Sequence, residues 1–217
     1  MNEPSVTAVC LTADRQDFTD RAVRCFLRQT YPNKHLLIYD NGKVPYKMER
    51  VATSQITLVR VEPRGSSIGE LRNEANALVK SDVIMHWDSD DISEPERMSV
   101  HVRELQASGN NVIGSYRMLF WNSVKSEAWM YANDAVFSLG TSLCYSRWVW
   151  EHTPFEHRGR GEDLTWGRKV GVSKLAYLGM IAEIHKGNPG IQIVPGSREW
   201  TRREDLDLYC RKVVEEA

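Results

Sequence analysis

Gly69–Asp91, GELRNEANALVKSDVIMHWDSDD, is the stretch on which the reading of the fold turns. With Ile68 just ahead of it, Leu71, Ala75, Leu78 and Val79 recur at helical spacing, and Ser67 and Glu70 have the Ser-x-x-Glu form of a capping box. An apolar strand follows, Val83 to Trp87, and breaks off into Asp88, Asp90 and Asp91. That much negative charge at the end of an apolar run is costly unless a cation sits there. Alternation along a strand predicts that Asp88 and Asp90 project together while Ser89 turns away. Two hard oxygen ligands suit Mg²⁺ or Mn²⁺, which bind through one or two carboxylates plus substrate phosphates, so the segment reads as a site for an activated phosphate donor. Ser93-Glu94-Pro95-Glu96 has a second capping-box pattern and predicts the start of the next helix, which leaves Asp88 and Asp90 for other work. A calcium-binding EF-hand is excluded, because the sixth position from Asp88 is Ser93 rather than Gly and the twelfth is Ser99 rather than Glu.

Upstream, Val6–Leu11 and His35–Tyr39 are short apolar runs, and between them Phe18, Ala22, Val23, Phe26 and Leu27 share a helical face. A third strand is expected over Ile56–Val61, and a helix carrying Met98, Val102 and Leu105 follows the acids. Strands alternating with helices predict an α/β fold with a mostly parallel central sheet, whose ligands collect outside the carboxyl ends of the strands. Asp88–Asp91 lies at such an end, as do Thr12-Ala13-Asp14-Arg15 and Asp40-Asn41-Gly42. Downstream, Val112–Tyr145 reads as irregular, aromatic-rich segments with mixed strands and surface loops. Gly159-Arg160-Gly161-Glu162-Asp163 then leads into a helix with an acidic first turn, and taken alone the two acids favour that helix's N-terminus.

The chain has 217 residues, is 41% hydrophobic and carries a formal net charge of −1, which fits a single globular domain. No apolar run approaches the roughly 18 residues of a membrane span and the opening MNEPS lacks a secretory pattern, so a cytoplasmic protein is expected. Cys10, Cys25, Cys144 and Cys210 lie far apart, which argues against a zinc ribbon, a redox pair or a disulfide framework and for buried thiols. His152 and His157 lack the second ligand pair of a structural zinc site. The charge balance gives no global footprint for nucleic acid, although Arg158–Arg160 and Arg202-Arg203 are local basic clusters.

Taken in order, LRQTYPNKHLLIYDNG, GELRNEANALVKSDVIMHWDSDD, GTSLCYSRWVWEHTPF and GRGEDLTW resemble glycosyltransferase family 2, the inverting nucleotide-sugar enzymes of the GT-A fold, over about Val6 to Asn188. The resemblance implies one GT-A domain over 1–217, with a nucleotide-sugar-binding half to about 110 and an acceptor-binding half beyond. It implies a nucleotide-sugar site made of Thr12, Asp14, Arg15, Asp40, Arg72, Asn73, Asp88 and Ser89, with Asp40 on the base and Arg72 and Asn73 lining the base and ribose pocket. Asp88 and Asp90 match the Asp-x-Asp motif: Asp90 ligates Mn²⁺ or Mg²⁺, Asp88 approaches the ribose or the metal shell, and His185 resembles a late histidine that reaches the metal or the diphosphate. Asp163 matches the carboxylate that takes the acceptor's proton, with Glu162 beside it contacting the acceptor or orienting the loop.

The expected function is therefore metal-dependent, inverting transfer of a sugar (a hexosyltransferase of class EC 2.4) from a nucleotide sugar, expected to be UDP-linked, to a hydroxyl. The acceptor stays open among a glycan, a lipid carrier, a small molecule, a protein and a modified DNA base, and monomer and homodimer are both open. Tyr39-Asp40-Asn41-Gly42 departs from the two acids and Gly-Ser of many relatives, which bears on the choice of base. The Gln-x-x-Arg-Trp signature of processive synthases is missing, since Arg198-Glu199-Trp200 does not satisfy it. Two rivals are a catalytically inactive module that binds nucleotide or glycan and a sugar-nucleotide pyrophosphorylase. TAVCLTADRQD lacks the latter's glycine-rich loop. Trp121, Trp129 and Trp148 are candidates for stacking on a sugar, against a default of core packing.

Overall fold

The computed structural model describes residues 3–48, 54–133, 139–185 and 193–217. The first half runs β1 (Val6–Thr12), α1 (Gln16–Leu27), β2 (Lys34–Asp40), β3 (Ile56–Arg60), α2 (Ile68–Asn76) and β4 (Val83–His86), the order expected from the sequence. Apolar residues at consecutive positions of these strands serve both faces of the sheet. Ala8, Cys10, Ile38 and Met85 pack toward α1 and toward Met98, Val102 and Leu105 of a later helix, whereas Val9, Leu37 and Ile84 pack toward α2. Burial on both faces is what makes a parallel strand read as a continuous apolar run. The capping box at α2 forms as predicted, with the Ser67 hydroxyl accepting from Glu70 N–H and the Glu70 carboxylate accepting from Ser67 N–H.

Next come β5 (Asp91–Ser93), α3 (Arg97–Ala107), β6 (Val112–Ser115), β7 (Arg117–Asn122), β8 (Glu127–Ala132), β9 (Cys144–Ser146) and α4 (Arg147–His152). The chain ends with α5 (Glu162–Val170), β10 (Ser173–Leu175), β11 (Met180–Ile184), β12 (Trp200–Arg202) and α6 (Asp207–Glu216). One sheet has the order β10-β6-β9-β4-β1-β2-β3 and is parallel except at β9, which runs against β4 and β6. The second, β12-β8-β7-β11-β5, is antiparallel except for the β7–β11 pair. The chain steps from the first sheet to the second across residues 87–90, so Asp88 and Asp90 lie where the two sheets meet.

Three expectations are corrected. Strand β4 stops at His86, so a turn rather than strand alternation aims Asp88 and Asp90. The Ser93–Glu96 capping box does not form: α3 begins at Arg97 with Glu96 as an N-cap that makes no side-chain bond. Ser93 is instead in the β5 ladder opposite Met180, and its hydroxyl accepts from the buried Arg97 guanidinium at 2.8 Å. The stretch from Val112, expected as irregular segments with mixed strands, is more regular than that: most of its described residues up to Tyr145 lie in β6, β7, β8 and β9. In β7, Met118 and Phe120 pack on one face and Leu119 and Trp121 on the other, which hides the two-residue period. The four cysteines are free and buried, as expected. Among the described residues no helix is long and apolar enough to cross a membrane.

Candidate active site

A cavity of about 560 Å³ opens at the carboxyl ends of β1 and β4. Its floor is Asp88, Ser89, Asp90 and Asp91; Arg15 and Arg72 flank it, and Gly159–Asp163 form the facing wall. Met118, Phe120, Leu139 and Ala182 supply an apolar side. The acids of the first half and the Glu162–Asp163 pair of the second, 71 residues apart at their nearest members, therefore share one chamber.

Asp90 is the most heavily gripped of the acids. Its Oδ2 accepts from Arg15 Nη1 at 2.6 Å and lies 3.3 Å from His185 Nε2, and its backbone carbonyl accepts from Arg21 Nη2 at 2.8 Å. Arg21 also forms a buried ion pair with Glu183 at 2.6 Å, which ties α1 to β11 two residues before His185. The ring of Phe18 lies 4.3 Å from that of His185, between centroids. Asp88 is more open, with its side chain 37% exposed, and approaches Arg72 at 3.7 Å. The low-polarity walls of the chamber around it raise the affinity of Asp88 for a proton, Arg72 opposes this and Asp90 adds to it. Arg72 spans the chamber by donating to Glu162 at 3.1 Å.

Glu162 and Asp163 open α5 after Gly161, whose φ of +68° is the left-handed conformation that glycine adopts without strain. Asp163 Oδ1 accepts from Leu164 N–H at 2.7 Å. Burial, followed by the charge of Glu162, pushes the Asp163 carboxyl above the ordinary range, which moves a carboxylate toward the work of a proton acceptor near neutral pH. Asp91 is pushed well up by burial, then by Asp90 and Asp88, and accepts from the Thr141 hydroxyl at 2.6 Å.

A second cavity of about 250 Å³ adjoins β1 and β2, lined by Thr12, Asp14, Arg15, Gln16, Asp40 and Tyr46 among others. Arg15 borders both cavities. Asp40 is only 1% exposed and its oxygens accept from Gly42 N–H at 2.9 Å and Tyr46 N–H at 2.8 Å, so it shapes the loop that walls this pocket. Glycine at 42 is a packing requirement, since a Cβ there would lie 2.5 Å from the Asp14 nitrogen. Asp14 accepts from Val44 N–H at 2.7 Å.

The structure gives Asn73 a different role from the one the resemblance implied. Its amide accepts from Trp150 Nε1 and Phe155 N–H and donates to Phe155 O, and it borders neither cavity, because the 150–155 segment claims all of its polar atoms. The three tryptophans weighed as sugar platforms also stand outside the chamber. Trp121 and Trp129 are core, and Trp148 is exposed on α4. Sequence reasoning passed over Arg97, His86, Gly140 and Phe120, none of which has a local pattern that marks it.

Among the described residues no three His, Cys, Asp or Glu side chains converge as a preformed metal cluster. The donor set nevertheless suits Mn²⁺ or Mg²⁺ in the manner of sites completed by substrate: Asp90 and His185 supply oxygen and nitrogen side by side, Asp88 is within the same chamber, and phosphate oxygens would provide the rest. Arg15 already neutralises part of Asp90 and would have to share it.

The sequence model of Glycosyl transferase family 2 matches residues 7–206. WcaA of Escherichia coli (strain K12), named as a glycosyl transferase of colanic acid biosynthesis, is 25% identical over 151 residues, 67% of this chain and 52% of its own. Among solved structures, S. aureus TarS superposes with a TM-score of 0.65 at 13% identity, covering 83% of this chain and 37% of TarS. TarS 1–349 in complex with UDP-GlcNAc gives 0.61 at 11% identity, over 88% and 62% of the two chains. The mannosyltransferase PcManGT from Pyrobaculum calidifontis, in complex with GDP-Man and Mn²⁺, gives 0.62 at 13% identity, over 92% and 59%. The chain thus spans about half the length of WcaA and under two thirds of each of these structures. At such identities the structural likeness shows a shared fold.

Proposed function

The chain belongs to glycosyltransferase family 2, and on that premise we propose that it moves a sugar from a nucleoside-diphosphate sugar to a hydroxyl acceptor in one in-line displacement with inversion. The observation that carries this reading is the shared chamber, in which Asp88 and Asp90 face Glu162 and Asp163 across a space of about 560 Å³. The base of the donor would occupy the smaller cavity beside Asp40 and Tyr46, and the sugar the larger one. The diphosphate would lie where Arg15 borders both, its charge balanced by that guanidinium and by Arg72. The first half of the chain, to about residue 110, is then the donor side and the remainder the acceptor side.

Asp163 takes the proton of the acceptor hydroxyl as that oxygen attacks the anomeric carbon, and its raised proton affinity suits the task. Glu162 holds Arg72 toward Asp88 and so keeps a positive charge on the side of the leaving group. Mn²⁺ or Mg²⁺ held by Asp90 and His185 would supply Lewis-acid stabilisation of the departing diphosphate. Fixing both substrates in line removes much of the entropic part of the barrier. An α-linked donor gives a β-linked product. UDP is the favoured nucleotide, with the UDP-GlcNAc complex of TarS in support, while GDP-Man in PcManGT keeps the alternative in view.

The test is a thermal-shift screen of UDP-, GDP-, dTDP- and CDP-sugars with and without Mn²⁺, on the wild type and Asp90→Ala. A stabilisation that needs one nucleotide, the metal and Asp90 is expected. No Mn²⁺-dependent shift with any of the donors would defeat the reading.

A further inference from the structure

We propose that His86 and Gly140 are positioning residues for Asp163, forming a seat against which the proton-accepting carboxylate is held. The inference rests on the reading of Asp163 as the proton acceptor. A Cβ at residue 140 would fall 1.8 Å from Asp163 Oδ2 and 2.7 Å from its Cγ, so the carboxylate lies directly against the Cα of Gly140. Every residue larger than glycine displaces either the carboxylate or the turn at Gly140–Ser142.

That turn is not free to yield. Its Gly140 carbonyl is 2.8 Å from His86 Nδ1, and its Thr141 carbonyl accepts from the buried Arg97 guanidinium at 2.7 Å. A carbonyl only accepts, so Nδ1 carries the proton and Nε2 is left as an acceptor for the Tyr145 hydroxyl at 3.2 Å. Tyr145 in turn accepts from Asn76 Nδ2 at 2.9 Å. The line Asn76, Tyr145, His86, Gly140 thus runs from α2 through the core to the chamber, which only its last member, Gly140, lines; His86 is 1% exposed. Burial, then the charge of Arg72, holds His86 well below the ordinary histidine range, which keeps the imidazole neutral and this tautomer in place.

The test compares Gly140→Ala, His86→Leu, His86→Asn and Asp163→Asn. Asparagine reproduces the Nδ1 donor and leucine does not. One readout needs no ligand: the titration of the Asp163 carboxyl followed by ¹³C NMR, with the resonance assigned by its loss in Asp163→Asn. The other is nucleoside-diphosphate release from the panel of nucleotide sugars with Mn²⁺. We expect Gly140→Ala and His86→Leu to move the Asp163 titration toward the ordinary carboxylate range and to lower release at least tenfold, with His86→Asn restoring both. An Asp163 titration unchanged in Gly140→Ala, or in a folded His86→Leu, overturns the proposal. Full release by Asp163→Asn would instead refute Asp163 as the proton acceptor, and the NMR result would still decide whether Gly140 and His86 seat its carboxylate. Gly140 lies in a partly exposed turn, so it remains decisive if His86→Leu does not fold.

Discussion

The buried Arg21–Glu183 pair allows a quantitative test of how the site is held together. Both side chains are at least nine-tenths buried and their charges meet at 2.6 Å, bridging α1 and β11 behind Asp90. In Glu183→Leu the guanidinium stays in the interior with its anionic partner gone, and stranding one member of such a pair costs roughly 3–5 kcal/mol. For a chain of this size each kcal/mol lowers Tm by about 2–4 °C, so the melting point should fall by about 6–20 °C. Replacing both partners, Arg21→Met with Glu183→Leu, removes the stranded charge. What then remains is chiefly the lost bond to the Asp90 carbonyl, worth about 1–3 kcal/mol. The double variant should therefore be more stable than the single one, read by urea unfolding of all the forms with a common m-value. A single variant within about 1 kcal/mol of wild type, or a double variant worse than the single, would refute the assignment of this pair as a desolvated charge bridge.

Asp163→Asn should lower sugar transfer by about 10²–10⁴ while leaving the Mn²⁺-dependent thermal shift with the nucleotide sugar in place; loss of that shift would make Asp163 a binding residue. Transfer should also fail on acidification at a pH above the ordinary aspartate range, because a base works only when deprotonated and Asp163 is pushed up by burial and by Glu162. Glu162→Gln should shift that acid limb downward, as seen in kcat against pH; an unmoved limb would remove Glu162 as a cause. For Asp91 the sign concerns stability. A carboxyl whose proton affinity rises on folding opposes folding in full above its folded pKa; the penalty fades as pH falls from that value toward the unfolded value near 3.8 and is gone below it. Asp91→Asn should accordingly be more stable than wild type to urea at pH 7 and lose that advantage near pH 3. An equal advantage at both pH values would contradict the argument.

The first four strands and their helices were legible because apolar runs and amphipathic spacing agree there. Asp88 and Asp90 stood out because acids at the end of an apolar run demand an explanation, whereas Glu162 and Asp163, taken alone, read as a helix N-terminus and were singled out only by the family resemblance; all four line one cavity. What stayed hidden has physical causes. The second sheet is apolar on both faces, so β7 and β8 show no alternation. Ser93 and Glu96 have the letters of a cap, but a ladder partner and a buried arginine compete for Ser93. Asn73 sits in the right helix and faces the wrong neighbours. His86 and Gly140 meet only through tertiary structure, 54 positions apart.

Only residues 87–90 separate β4 in one sheet from β5 in the other. The stretch that carries Asp88 and Asp90 is also the joint between two architectural units, so inserting or deleting residues there would alter the chamber and the sheet geometry together. Such a joint is a poor place for evolutionary experiment. The Gly159–Gly161 loop reaches the same chamber without belonging to either sheet, so apart from Gly161, whose left-handed backbone opens α5, a change there leaves both ladders untouched. Descendants of this scaffold that acquire new acceptors should therefore differ first in that loop and last between the two sheets.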